Sequence, residues 1–254
     1  MIKNVENWYF EKKFIVPNKS LEKLKLLLGH YFVRDPNYGL GTNNTIYYDT
    51  QDLSDYSDGL NGSANRKKVR VRFYNDTKKL TQANIEVKYK FGSMTGKVRS
   101  KIQLGNISTR QLYKLNLIEL YSNNSQKLLR DVKLECYSPK IKIQYLRCRY
   151  FCPNSGLRIN LDSQIKATDY FPSGADPLSI NSSVLGTLLE IKGTKNAFLP
   201  SSIDKLELKG IAFSKYCYFL SSVLSRTKMF PTVDSSSDAL RLNGWHNFLS
   251  GKNM

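Results

Sequence analysis

The chain has 254 residues, of which 39 are Lys or Arg and 21 are Asp or Glu, for a formal net charge of +18. Its 41% hydrophobic content supplies a packed core and excludes wholesale disorder, while charged residues interrupt every apolar run short of the roughly 20 positions a membrane span needs. The excess of cations points to a polyanionic partner: nucleic acid, an anionic membrane surface or phosphate compounds.

The first ten residues lack the apolar core of a signal peptide, so secretion is not expected. Glu11 and Lys13 then share one face of a strand, with Phe10 and Phe14 opposite, because side chains alternate faces along a strand. Ser20 is a candidate N-cap for a helix over Leu21–Leu28, whose leucines at 21, 24, 27 and 28 form one stripe. In 68–74, Lys68, Arg70 and Arg72 oppose Val69, Val71 and Phe73. In 85–91, Glu86, Lys88 and Lys90 oppose Ile85, Val87, Tyr89 and Phe91. Lys97, Arg99 and Lys101 repeat the pattern. Ser108 or Thr109 would cap a second helix carrying Leu112, Leu115 and Ile118, and a third is expected over 125–135. Tyr145, Arg147 and Arg149 then alternate with Leu146, Cys148 and Tyr150, Arg158, Asn160 and Asp162 with Ile159 and Leu161, and Glu190 and Lys192 with Leu189 and Ile191. A fourth helix is expected over 213–224, and the Ser- and Asn-rich stretch 231–254 reads as a loosely packed tail after a single domain over 1–230. Cys136, Cys148, Cys152 and Cys217 show no zinc-ligand pairing and read as reduced thiols of a cytoplasmic protein. Two histidines, His30 and His246, leave little for histidine-based metal sites.

Seven strands with one apolar and one charged face admit two architectures. An open antiparallel sheet would leave the charged face in solvent. A closed barrel would line a tunnel with it. Two features favour the barrel. Glu11, Glu86, Asp162 and Glu190 sit among the cations, and Phe14, Phe73, Tyr89 and Phe91 lie opposite them, whereas a single-strand nucleic-acid groove mixes aromatic platforms with its cations.

The segments FEKKF (10–14), IYYDT (46–50), RKKVRVRFY (66–74), IEVKYK (85–90), TGKVRSK (95–101), YLRCRYF (145–151), RINLD (158–162), LLEIK (188–192) and FSKYC (213–217) resemble, in order and spacing, the VTC domain. That is the polyphosphate polymerase domain named after the vacuolar transporter chaperone complex, one of the triphosphate tunnel metalloenzymes. The chain is similar to its stand-alone bacterial form. The resemblance implies an α+β fold: an antiparallel β-barrel of about eight strands, open as a tunnel with a cation-lined interior, and helices packed outside. It also implies a divalent metal, Mn²⁺ or Mg²⁺. Carried over by position, the catalytic and phosphate-binding cations would be Lys13, Arg70, Arg72, Lys88, Lys101, Arg147, Arg158 and Lys215, assisted by Ser214. Glu190 would hold the metal, with Glu11 as a second ligand. Glu86 and Asp162 would either bind metal or only pair with neighbouring cations. Lys90, Lys97, Arg99 and Lys192 would be secondary liners or rim charges.

These residue types suit phosphoryl transfer, which needs charge neutralisation and in-line positioning more than covalent help. The expected activity is metal-dependent polyphosphate synthesis from ATP or another nucleoside triphosphate, with polyphosphate and phosphate as further ligands. The rivals are an inorganic or nucleoside triphosphatase and a non-catalytic module binding polyphosphate or RNA. Nucleic acid is disfavoured as a partner, and Glu190 argues for an enzyme, since a pure anion binder gains nothing from a carboxylate among cations.

Overall fold

The computed structural model describes residues 5, 8–74, 79–121, 132, 134–169, 179–180, 186–194, 199–206 and 208–227. The tail after 230 and His246 lie outside these, as does most of the helix expected over 125–135, of which Val132 and a 3₁₀ turn at Leu134–Cys136 are described.

Eight strands form a ring. In chain order they are β1 (Tyr9–Val16), β3 (Leu40–Asp49), β4 (Asn65–Tyr74), β5 (Leu80–Phe91), β6 (Met94–Ile107), β7 (Ser138–Phe151), β8 (Arg158–Asp169) and β10 (Thr187–Gly193), with short β2 (Val33–Arg34), β9 (Ser179–Ile180) and β11 (Lys209–Gly210) attached. Hydrogen bonding runs β7-β3-β4-β5-β6-β1-β10-β8 and returns from β8 to β7, antiparallel throughout. The ring is uneven. Between β1 and β6 the pairs among the described residues are Tyr9 opposite Thr95 and Phe10 opposite Met94. Among the described residues, β6 beyond Thr95 pairs with β5 alone. The β5–β6 hairpin turns at Gly92-Ser93, where Gly92 takes φ +55°, a conformation that L side chains avoid.

The outer faces are apolar and covered. Val69, Val71, Phe73, Ile85, Val87 and Tyr89 pack under α3 (Thr109–Leu112) and α4 (Leu117–Tyr121). Ile159, Leu161, Leu189 and Ile191 pack under α1 (Asn18–Tyr31) through Leu24 and Leu28. α6 (Lys215–Thr227) is placed differently. Tyr216, Phe219, Leu220 and Val223 pack on Ile15, Ile141, Ile143 and Leu188, which share strand phase with Lys13, Arg147 and Glu190. The inner face is therefore charged in the middle and apolar at one end, and α6 covers that end with α2 (Ser54–Leu60) beside it, joined by Tyr56 Oη and Ser221 Oγ at 2.8 Å.

Three helix boundaries differ from expectation. α1 starts at Asn18, directly after Pro17, so Ser20 lies inside its first turn. The second helix is broken: α3 ends at Leu112, although Ser108 caps it in a reciprocal capping box with Gln111. α4 restarts at Leu117 because the Asn116 amide donates to Glu119 Oε2 at 2.5 Å. The last helix spans 215–227 rather than 213–224.

Candidate active site

The ring encloses a cavity of about 1510 Å³ whose wall carries, among the described residues, fourteen Lys and Arg but two carboxylates, Glu11 and Glu190. That exceeds the roughly 300–1,000 Å³ of a usual small-molecule site. The strands set this lining through register: Lys13 faces Glu190 and Glu11 faces Lys192 between β1 and β10, Arg70 faces Glu86 between β4 and β5, and Arg147 faces Asp162 between β7 and β8.

The four carboxylates fall into two kinds. Glu86 and Asp162 are fully buried behind the cations and do not line the cavity. Glu86 accepts from Arg70 Nε at 2.8 Å and Nη2 at 2.6 Å and from Lys97 Nζ at 3.3 Å, with Arg72 Nη1 at 3.5 Å. Burial alone would raise its pKa, but Arg70, Arg72 and Lys97 hold it well below the usual carboxylate range. Asp162 receives a two-pronged bond from Arg147, Nε to Oδ1 at 2.6 Å and Nη2 to Oδ2 at 2.7 Å, and a third from Lys215 Nζ at 2.7 Å. These buried carboxylates fix the direction of five cavity cations.

Glu11 and Glu190 face the cavity and lie against each other. Burial opposes their ionisation, yet Lys88 and Lys13 keep Glu11 below its ordinary pKa, and Lys192 and Arg147 keep Glu190 well below. Glu11 Oε2 is 2.6 Å from Lys88 Nζ and 3.5 Å from Lys13 Nζ, and Glu190 is 2.5 Å from Lys192 Nζ and 2.9 Å from Arg147 Nη2. Glu11 Oε1 is buried without a hydrogen-bond partner among the described residues. Two adjacent ionised carboxylates, one with a buried oxygen that accepts no hydrogen bond among the described residues and lies 3.8 Å from Lys192 Nζ, suit a hard divalent cation. Among the described residues no group of three or more His, Cys, Asp or Glu side chains comes together, so phosphate oxygens would complete such a site.

Neutral groups complete the wall. Tyr145 Oη accepts from Arg72 Nη2 at 3.1 Å, and its ring lies 5.1 Å from the Arg147 guanidinium carbon and 4.7 Å from Lys215 Nζ. Burial raises the Tyr145 pKa, but Arg147 and Arg72 outweigh it and the net shift is downward. Thr45 Oγ1 accepts from Arg72 at 3.3 Å, and the Tyr47 ring stacks on Tyr216 at 4.9 Å. Tyr216 in turn donates to Asp49 at 2.6 Å, which accepts from the Asp55 and Tyr56 amides at the start of α2.

Of the sequence-derived residues, Glu11, Lys13, Arg70, Arg72, Lys88, Arg147, Glu190, Ser214 and Lys215 line this one cavity. Two do not. Arg158 is exposed at the rim, its guanidinium 5.5 Å from the Tyr9 ring, beside a smaller cleft of about 390 Å³ that shares Arg149 with the main cavity. Lys101 is exposed on β6 beyond Thr95, the last β6 residue paired with β1 among the described residues, and does not line the cavity. Lys68, Lys97 and Lys192 line the cavity on the faces their alternation gave, as does Lys90. Tyr47 and Asn43 were missed, since β3 presents no cation on its inner face and charge alternation gave no signal there.

A ring of antiparallel strands with a cation-lined bore and paired carboxylates on its wall defines an anion-binding tunnel protein. Residues 8–224 match the VTC domain, and the chain belongs to that family. None of the curated proteins matches significantly. Among solved structures it is similar to a candidate adenylyl cyclase from Hippeastrum described as having a dominant triphosphatase activity. That match has 12% identity, 93% of this chain, 95% of that one and a TM-score of 0.42. It is also similar to a candidate adenylate cyclase from Bacillus halodurans, with 11% identity, 90% and 94% coverage and a TM-score of 0.41. A Mimivirus capping enzyme triphosphatase follows, with 10% identity, 88% and 90% coverage and a TM-score of 0.35. No helix among the described residues is long and apolar enough to cross a membrane.

Proposed function

We propose that this protein is a metal-dependent phosphotransferase that extends inorganic polyphosphate from a nucleoside triphosphate. The observation that carries this reading is the sorting of the carboxylates. Two are buried to aim cations, and two, Glu11 and Glu190, stand in the cavity where a phosphate chain would lie. Membership of the VTC domain family supports the substrate class.

Arg70, Arg72 and Arg147 would grip phosphate oxygens through their forks, and Lys13, Lys88 and Lys215 would supply compact charge. Glu11 and Glu190 would hold Mn²⁺ or Mg²⁺, which when bound polarises the phosphate oxygens. No protein nucleophile is required, because the terminal oxygen of an acceptor chain can attack the donor's γ-phosphorus in line while the nucleoside diphosphate leaves. Incubation with ATP and Mn²⁺ followed by separation by chain length tests the reading. A ladder of polyphosphates is expected, together with its loss in Glu190→Gln by several kcal/mol of transition-state stabilisation. Orthophosphate as the sole product would replace polymerase by triphosphatase, and wild-type turnover in Glu190→Gln would move the metal elsewhere.

A further inference from the structure

The ion pairs of the tunnel are unevenly spread. Glu11 takes Lys13, Lys88 and Lys192, Glu86 takes Arg70, Arg72 and Lys97, Asp162 takes Arg147 and Lys215, and Glu190 takes Arg147 and Lys192. None of the ion pairs among the described residues takes in Arg66, Lys68 or Lys90, although all three line the cavity. Their described polar partners are neutral. Lys68 Nζ donates to Ser214 Oγ at 2.7 Å, and Arg66 Nη1 donates to the Ser63 carbonyl. Strand register sets Arg66 opposite Lys90 and Lys68 opposite Lys88, like charges across adjacent strands, which destabilise a sheet unless something lies between them. These residues gather where the C-terminal end of α2 reaches the cavity: Gly59, Leu60 and Gly62 line it there, and a Cβ on Gly59 would lie 3.6 Å from Lys68 Nζ.

We propose that Arg66, Lys68 and Lys90, with the Ser214 hydroxyl, form a further phosphate subsite at the α2 end of the tunnel, holding a phosphate of a long chain away from the reacting bond. This rests on the polyphosphate reading above and narrows it to chains longer than triphosphate. The electrostatics of the anion-free site agree. Burial lowers the Lys68 pKa to about 8, Lys13, Lys88 and Arg66 push the same way, and Cys217 opposes them. A phosphate seated there would restore the full charge of Lys68, so chain binding near pH 8 would take up a proton.

Isothermal titration of the full chain in metal-free buffer, with tripolyphosphate and with long-chain polyphosphate, tests this. Lys68→Met should weaken long-chain binding about tenfold and tripolyphosphate binding by no more than about threefold. Lys68→Arg should retain both affinities, and Lys23→Met on the exposed face of α1 should change neither. Repeating the titration near pH 8 in buffers of different ionisation enthalpy should show proton uptake with the long chain in wild type and less in Lys68→Met. Equal losses for both ligands, no loss, or unchanged proton uptake would overturn the subsite, as would a wild type that binds neither. Binding is read without turnover, so a protein that passes here but makes no polymer from ATP refutes only the synthesis.

Discussion

Glu86 carries more of the site than its absence from the cavity wall suggests. One fully buried carboxylate orients Arg70, Arg72 and Lys97, so replacing it leaves three cations uncompensated. Breaking a buried pair by removing one partner costs about 3–5 kcal/mol. In a chain of this size Glu86→Gln should lower the melting temperature by roughly 6–20 °C. The pH dependence follows from the depressed pKa of Glu86. Its stabilising contribution is present above the ordinary value of 4.5 and is lost as the pH falls toward the folded-state value. A melt series from neutral to acid pH should therefore show the gap between wild type and Glu86→Gln narrowing below about pH 4.5. A gap that persists at low pH would mean that packing, not charge, is what the variant loses. Sequence alone left Glu86 and Asp162 open between ligand and brace, because alternation gives the face of a side chain and not its depth. Depth depends on how long neighbouring cations fold over it, which only the packed ring decides.

At the scale of elements, charge alternation placed the inner faces of β1, β4, β5, β7, β8 and β10, where cations and carboxylates mark one phase. It failed where that mark was missing or misleading. β3 contributes Asn43 and Tyr47 without a charge. Lys101 has the right phase on β6 but is exposed beyond Thr95, the last β6 residue paired with β1 among the described residues. The break between α3 and α4 did have a sequence signal, Asn116 three residues before Glu119, overridden in the reading by the apolar stripe of Leu112, Leu115 and Ile118. The placement of α6 was hidden for another reason: Ile15, Ile141, Ile143 and Leu188 continue the charged phases as apolar positions, and only the closed ring shows that they face a helix. Phe219 is fully buried in that contact. Phe219→Ala should cost about 3–5 kcal/mol in denaturant unfolding. It should also weaken triphosphate binding, because α6 carries Lys215 to Asp162. A stability loss with unchanged triphosphate affinity would show that Lys215 is held in place by its ion pair alone.

Over the whole molecule, fourteen of the 39 Lys and Arg line one bore where they repel one another, and the fold tolerates this through buried carboxylates and apolar outer faces. Two cations about 6 Å apart at an effective dielectric near 20 repel by roughly 3 kcal/mol before screening. A polyphosphate that binds only the folded state relieves such repulsion, and at one hundred times its dissociation constant it adds about 2.7 kcal/mol through linkage. The measurement that bears most directly on the tunnel as a phosphate-chain site is a set of thermal melts at constant ionic strength. The ligands are monophosphate, triphosphate, long-chain polyphosphate and an oligoribonucleotide of matched charge. The expected result is a rise of roughly 5–10 °C with long-chain polyphosphate. Triphosphate should exceed equimolar monophosphate, and RNA should fall behind both phosphate chains because its bases and sugars keep its phosphates from reaching the cations inside the ring. Equal shifts for all four ligands, or the largest shift with RNA, would contradict the account and favour an open basic surface.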